Sequence, residues 1–162
     1  MADTAAPVLI AYDGSDVSRA AVRHAAELFA GRPAVVATVW EPGMAAASSV
    51  GFSDAMGVAT PLPDPDTLKA VDRLQSEHAS DVAGDGAEFA RSLGLAAEPH
   101  AVPDELDVAD TLIGIAQERG AAVVVVGSHG ISGLRSRLLG SVTRKLIEHC
   151  DRPILVIREH GA

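Results

Sequence analysis

A chain of 162 residues that is 48% hydrophobic and 22% charged is long and apolar enough for one domain with a real core, which excludes a disordered chain. A net charge of -9 works against nucleic acid and anionic membrane as partners, and an aromatic content of 3% leaves few rings for stacking on single-stranded bases. The charge is uneven: residues 1–120 hold 7 Lys/Arg against 19 Asp/Glu, whereas residues 121–162 hold 6 against 3.

The single cysteine, Cys150, cannot form a disulfide within the chain and suits a reducing compartment. The first apolar run, Val8–Ala11, is too short for a signal peptide, and no stretch approaches the roughly 20 apolar residues that span a bilayer. The expected location is cytoplasmic.

Taken in order, Val8 to Tyr12 is a first strand, closed by the turn and cap residues Asp13-Gly14-Ser15-Asp16. Ser15 or Asp16 can cap a helix from about Val17 to Ala30, whose apolar residues recur at helical spacing. Ala34–Trp40 is a second strand. Residues 41–66, rich in Gly, Ala, Ser and Pro, are expected to be a long flexible loop. Thr67 to Leu93 has a helical pattern with Asp66 or Thr67 as its cap, and Gly84 and Gly86 make a kink plausible. Leu95–Val102 contains Pro99, which places this third strand at a sheet edge. Asp107 caps a helix with Val108, Leu112, Ile115 and Ala116 on one face. The run Ala121–Val126 has the β-branched character of a strand buried on both faces. A glycine-rich loop and a helix opening at Gly140-Ser141 follow, and Ile154–Ile157 is the fifth strand.

Strict β-α alternation implies a parallel sheet with right-handed crossovers and helices on both faces, hence a single α/β domain over residues 1–162. Two strands end in unusual loops, at Asp13 and at Gly127. If those strands are neighbours, the order is 3-2-1-4-5, and the loops face each other at the point where the winding reverses.

The glycines carry the chemistry. Gly127-x2-Gly130-x9-Gly140-Ser141 is neither the dinucleotide fingerprint nor the P-loop pattern. Strand, bare backbone and helix start together nonetheless form an anion-binding device, in which exposed N–H groups add to the positive end of a helix dipole. Arg135, Arg137, Arg144 and Lys145 cluster in or beside this segment and favour a phosphate site over ordinary turn glycines. His129 lies between the glycines and is as well suited to solvent as to a phosphate. The remaining histidines show no metal-ligand spacing, and Cys150 suits packing near a helix end.

The glycine spacing, the Asp-Gly-Ser after the first strand and the closing Pro-Ile-Leu-Val-Ile resemble the universal stress protein family, whose nucleotide-binding members carry G-2x-G-9x-G-S/T. The resemblance implies the five-stranded 3-2-1-4-5, Rossmann-like fold of the adenine-nucleotide alpha-hydrolase type. It implies an adenine nucleotide, ATP in the first place, with Mg2+ as a bridge between phosphates. Asp13 would serve the ribose or the phosphates, Ala11 and Val39 the adenine edge, and Val126 its floor. Gly127, Gly130, Gly140, Ser141, Val142 and Thr143 would surround the phosphates, through backbone N–H groups and the Ser and Thr hydroxyls, with His129 beside them as a candidate by its position alone. The resemblance also implies a homodimer paired through Ile154–Ile157.

The function expected on this basis is a cytoplasmic nucleotide sensor or regulator of the stress response. The alternative is a slow ATPase or nucleotidyl-transfer enzyme, for which Asp13 and His129 are the residues placed to orient water. A nucleotide-free interaction module on the same fold is a third reading, disfavoured by the intact glycine pattern.

Overall fold

The computed structural model describes residues 5–43, 64–104, 106–129 and 139–158. The elements run β1 (Val8–Ala11), α1 (Asp16–Leu28), β2 (Pro33–Trp40), α2 (Pro65–Ser92), β3 (Ala96–Pro103), α3 (Val108–Glu118), β4 (Val123–Gly127), α4 (Ser141–His149) and β5 (Ile154–Ile157). Every strand pair is parallel and the order is β3-β2-β1-β4-β5, as the alternation and the two loops imply.

Alternate side chains of each strand go to opposite faces, so the sheet separates two cores. Val8, Ile10, Val36 and Val125 pack against the alanines of α1 and α2. Leu9, Val35, Val124 and Val126 pack against Leu112 and Ile115 of α3 and Leu146 of α4. Val8, Ile10, Val36, Val124 and Val125 are fully buried, which explains why the central strands are continuous apolar runs.

Helix α2 differs from its sequence reading at its start. Asp64 is the cap, accepting from the N–H of Asp66 and Thr67 and from the Thr67 hydroxyl, with Pro65 in the first turn. Residues 65 and 66 are therefore helical and leave the expected loop; residues 44–63 of it lie outside the described residues. The helix runs without a break through Gly84 and Gly86. Gly86 has a packing reason: a Cβ there would stand 2.6 Å and 2.8 Å from ring carbons of Tyr12 and 2.9 Å from Val36 Cγ1. Gly84 has nothing within 4 Å of the same point.

Candidate functional site

In a doubly wound sheet the crevice lies beyond the carboxyl ends of the strands at which the winding reverses. Here those strands are β1 and β4: α1 leaves β1 for one face, and α4 leaves β4 for the other. A cleft of about 510 Å³ opens at this point, within the usual range for a small-molecule site. Its floor is the strand ends, Ala11, Ala37, Val39 and Val126, and one wall is apolar, from Val108 and Leu112 of α3. The rest of the lining includes Asp13, Gly127, His129 and the first turn of α4.

The polar side is built by three local devices. After β1, Gly14 takes φ 79°, a conformation open to glycine at little cost. Ser15 then caps α1, accepting from the Ser18 N–H at 3.2 Å. Asp13 Oδ1 accepts from the Ser15 N–H at 3.0 Å and from its hydroxyl at 2.5 Å. Asp13 is thus tied to the cap without being the cap, and it lines the cleft.

After β4, Gly127 has no room for a side chain: a Cβ would stand 2.9 Å from both γ-carbons of Val17. The Gly140 N–H donates to the Ser128 carbonyl at 2.8 Å, and the Thr143 hydroxyl donates to the Gly127 carbonyl at 2.8 Å. These two bonds fix the start of α4 against the exit of β4. They also refine the expected role of Thr143, whose side chain is buried and whose hydroxyl hydrogen is committed to Gly127. What Thr143 offers an anion is its backbone N–H.

The third device is the opening of α4. Ser15, Asp64 and Asp107 cap α1, α2 and α3 with side-chain oxygens, whereas among the described residues α4 begins at Gly140 with no side-chain cap bond. The first N–H groups of a helix have no intrahelical partner, and here they open onto the cleft with the positive end of the helix dipole.

Ten of the residues chosen from the sequence line this one cleft: Ala11, Asp13, Val39, Val126, Gly127, His129, Gly140, Ser141, Val142 and Thr143. Gly130 lies outside the described residues, as do Arg135 and Arg137. Of the other two basic residues, Arg144 lines the cleft, but Lys145 does not serve it. Its ammonium donates to Asp107 at 2.5 Å and to Asp110 at 2.7 Å. That correction has a plain cause: Lys145 faces two carboxylates on the first turn of α3, which sequence distance conceals. Hydrogen bonding from Lys145, then from the Asp110 N–H, holds the Asp107 carboxyl below its ordinary pKa. Hydrogen bonds to Asp107 and Asp110 raise that of Lys145. The sequence reading also missed Val108 and Leu112 as cleft residues; the signal was their position at the start of an apolar helical stripe.

His129 Nδ1 lies 3.0 Å from the Ser128 hydroxyl. Among the described residues no three His, Cys, Asp or Glu side chains are grouped to hold a metal ion. Among the described residues Asp13 is the one carboxylate lining the cleft, and its Oδ1 already accepts twice from Ser15. These residues do not build a protein-held magnesium site, so no step is assigned to that ion. Among the described residues no helix is long and apolar enough to cross a membrane.

Fold and cleft define an α/β protein of the parallel, doubly wound class with a ligand-sized crevice at the switch point. The profile of the Universal stress protein family matches residues 5–158, and the chain belongs to that family. It is 26% identical over 152 residues to universal stress protein MJ0531 of Methanocaldococcus jannaschii, covering 94% of this chain and 81% of that protein. With universal stress protein MJ0577 of the same organism it shares 37% identity over 53 residues, a match that takes in 33% of either chain. The MJ0577 structure superposes with a TM-score of 0.74 at 17% identity, covering 98% of this chain and 99% of that one. A universal stress protein from Burkholderia pseudomallei gives 0.65 at 27% identity, with 97% and 98% covered. The universal stress protein from Archaeoglobus fulgidus in complex with dAMP gives 0.63 at 21% identity, with 95% and 98% covered.

Proposed function

We propose that the chain binds an adenine nucleotide, ATP in the first place, in the β1–β4 cleft, and acts as a cytoplasmic nucleotide-responsive regulator of the stress response. The observation that carries this reading is the uncapped start of α4, opening onto a cleft whose other half is apolar. An apolar slot suits a base and a row of N–H groups suits phosphates. The base would lie over Ala11, Ala37, Val39 and Val126. The ribose would meet Asp13. The phosphates would lie against Gly127, His129, Gly130, Gly140 and the N–H groups of Ser141, Val142 and Thr143. The A. fulgidus relative, in complex with dAMP, supports an adenine nucleotide as the ligand class.

Regulation rather than turnover is favoured by how the polar groups are held. Asp13 is engaged by Ser15, and His129 Nδ1 lies beside the Ser128 hydroxyl, whereas hydrolysis needs a group that orients water at the terminal phosphate. The same reading takes the chain to be a homodimer paired through β5, an edge strand of four apolar residues.

Calorimetric titration of the purified protein with ATP, AMP and cyclic AMP tests the reading. Saturable binding of ATP, weakened in Asp13→Ala, is expected. Absence of heat with all three ligands, together with no adenine nucleotide released on denaturation, removes it. Phosphate release well above background with Mg-ATP, lost in Asp13→Ala, would replace the regulator with an ATPase.

A further inference from the structure

Lys145 stands out because its position and its contacts disagree. It lies in the second turn of α4, close to the proposed phosphate cradle, yet its ammonium is turned to the neighbouring helix. Both of its partners are on α3: Asp107 at 2.5 Å and Asp110 at 2.7 Å. Asp107 has a second task, since it is also the N-cap of α3 and accepts from the Asp110 N–H at 2.9 Å. One carboxylate therefore fixes where α3 begins and where α4 is held. Both helices pack on the same face of the sheet and both line the cleft. Val108, one residue after Asp107, lines it from α3, while Val142 and Thr143, within three residues of Lys145, line it from α4.

We propose that Lys145 is a positioning residue: with Asp107 and Asp110 it clasps the first turns of α3 and α4 together and so sets the width of the cleft for its ligand. The proposal rests on the nucleotide reading for its ligand but not for its geometry. It makes a prediction opposite to simple charge logic. Asp107 and Asp110 are acidic groups beside a site for an anion, so neutralising one should strengthen binding if bulk electrostatics ruled. If the clasp rules, neutralising Asp107 weakens binding, because Lys145 loses a partner and α4 loosens.

Asp107→Asn is the informative variant, because asparagine caps a helix about as well as aspartate; it removes the Lys145–Asp107 ion pair and leaves the one with Asp110. Affinity is measured by calorimetry for adenosine, which has no phosphate, and for ATP. Hydrogen exchange of the α4 amides is followed in the ligand-free protein. The expected result is a loss of about two- to fivefold for both ligands, the scale of a partly exposed ion pair, with Lys145, Leu146 and Ile147 amides exchanging faster. Lys145→Met, which removes both ion pairs, should weaken adenosine by at least the same factor, and Lys145→Arg should restore it. Unchanged adenosine affinity in Asp107→Asn, or tighter ATP binding, overturns the proposal. A loss in Lys145→Met confined to ATP also overturns it, by making Lys145 a phosphate contact. If the unaltered protein binds neither ligand, the nucleotide reading fails by itself. The exchange rates then decide the clasp: faster exchange in Asp107→Asn upholds it, and unchanged exchange removes it.

Discussion

Gly84 and Gly86 lie two residues apart in α2, and the structure predicts that alanine stabilises at the first and not at the second. In a helix interior, alanine is favoured over glycine by about 1 kcal/mol. At position 84 nothing lies within 4 Å of the added carbon, so Gly84→Ala should stabilise by about that amount. At position 86 the carbon would meet Tyr12 at 2.6 Å and 2.8 Å and Val36 at 2.9 Å, against a comfortable carbon–carbon separation of about 3.5–4.0 Å. Tyr12 is 4% exposed and Val36 is 0% exposed, so neither can swing into solvent. Overpacking of this kind costs about 1–3 kcal/mol, which outweighs or cancels the gain in propensity. Gly86→Ala should therefore fall about 1–3 kcal/mol below Gly84→Ala, a gap of roughly 2–4 °C per kcal/mol in melting temperature for a chain of this size. Urea unfolding read by circular dichroism, with unchanged slope, gives the difference directly. If Gly86→Ala is as stable as Gly84→Ala, the close packing of α2 on Tyr12 is wrong.

Thr143→Val, nearly the same shape, removes the donor to the buried Gly127 carbonyl and should destabilise by about 1–3 kcal/mol, whereas Thr143→Ser should retain most of the stability; denaturant midpoints distinguish them. The Lys145 clasp gives a pH dependence. Asp107 is held below its ordinary value of 3.8, so its contribution is full above that value and disappears as pH falls through the lower, folded one. Lys145 is held above 10.5, so its contribution is full below that value and disappears as pH rises through the higher, folded one. The stability difference between the unaltered protein and Lys145→Met should accordingly be flat between these limits and shrink beyond both, which urea midpoints across pH will show. Val156→Pro should leave the sheet intact but yield a monomer by light scattering. The β5 carbonyls of Pro153 and Ile157 face β4, so by strand alternation the Val156 N–H faces the open edge.

The fold was legible because its signals are local. Val123–Val126 could be read as doubly buried without any neighbour in view, and the turn residues after each helix punctuated the alternation. Much of the candidate cleft's lining was legible too: the glycine spacing marked Gly127 and Gly140, and the family resemblance pointed to Ala11, Asp13, Val39 and Val126. What escaped was whatever depends on a partner far along the chain. Gly84 and Gly86 are equivalent as helix residues, and only Tyr12 and Val36, brought over by the sheet, separate them. Lys145 could be taken for a phosphate ligand because its partners Asp107 and Asp110 are 38 and 35 residues away. The Thr143 hydroxyl could be assigned to an anion for want of the carbonyl at Gly127.

The two borders of the sheet are not alike. On β3 the backbone groups of Ala96 and Asp104 face β2, so by alternation those of Ala97, Pro99, Ala101 and Pro103 face outward. Two of these four lack an N–H, and the Ala97 carbonyl already lies 3.5 Å from the Arg91 guanidinium. That border is closed to an incoming strand, while β5 carries no proline within Ile154–Ile157. A sheet that can accept a neighbour on one side only can pair once and then has nothing left to add to. The prolines of β3 therefore work against strand addition at that border, because two of its outward positions have no N–H to offer.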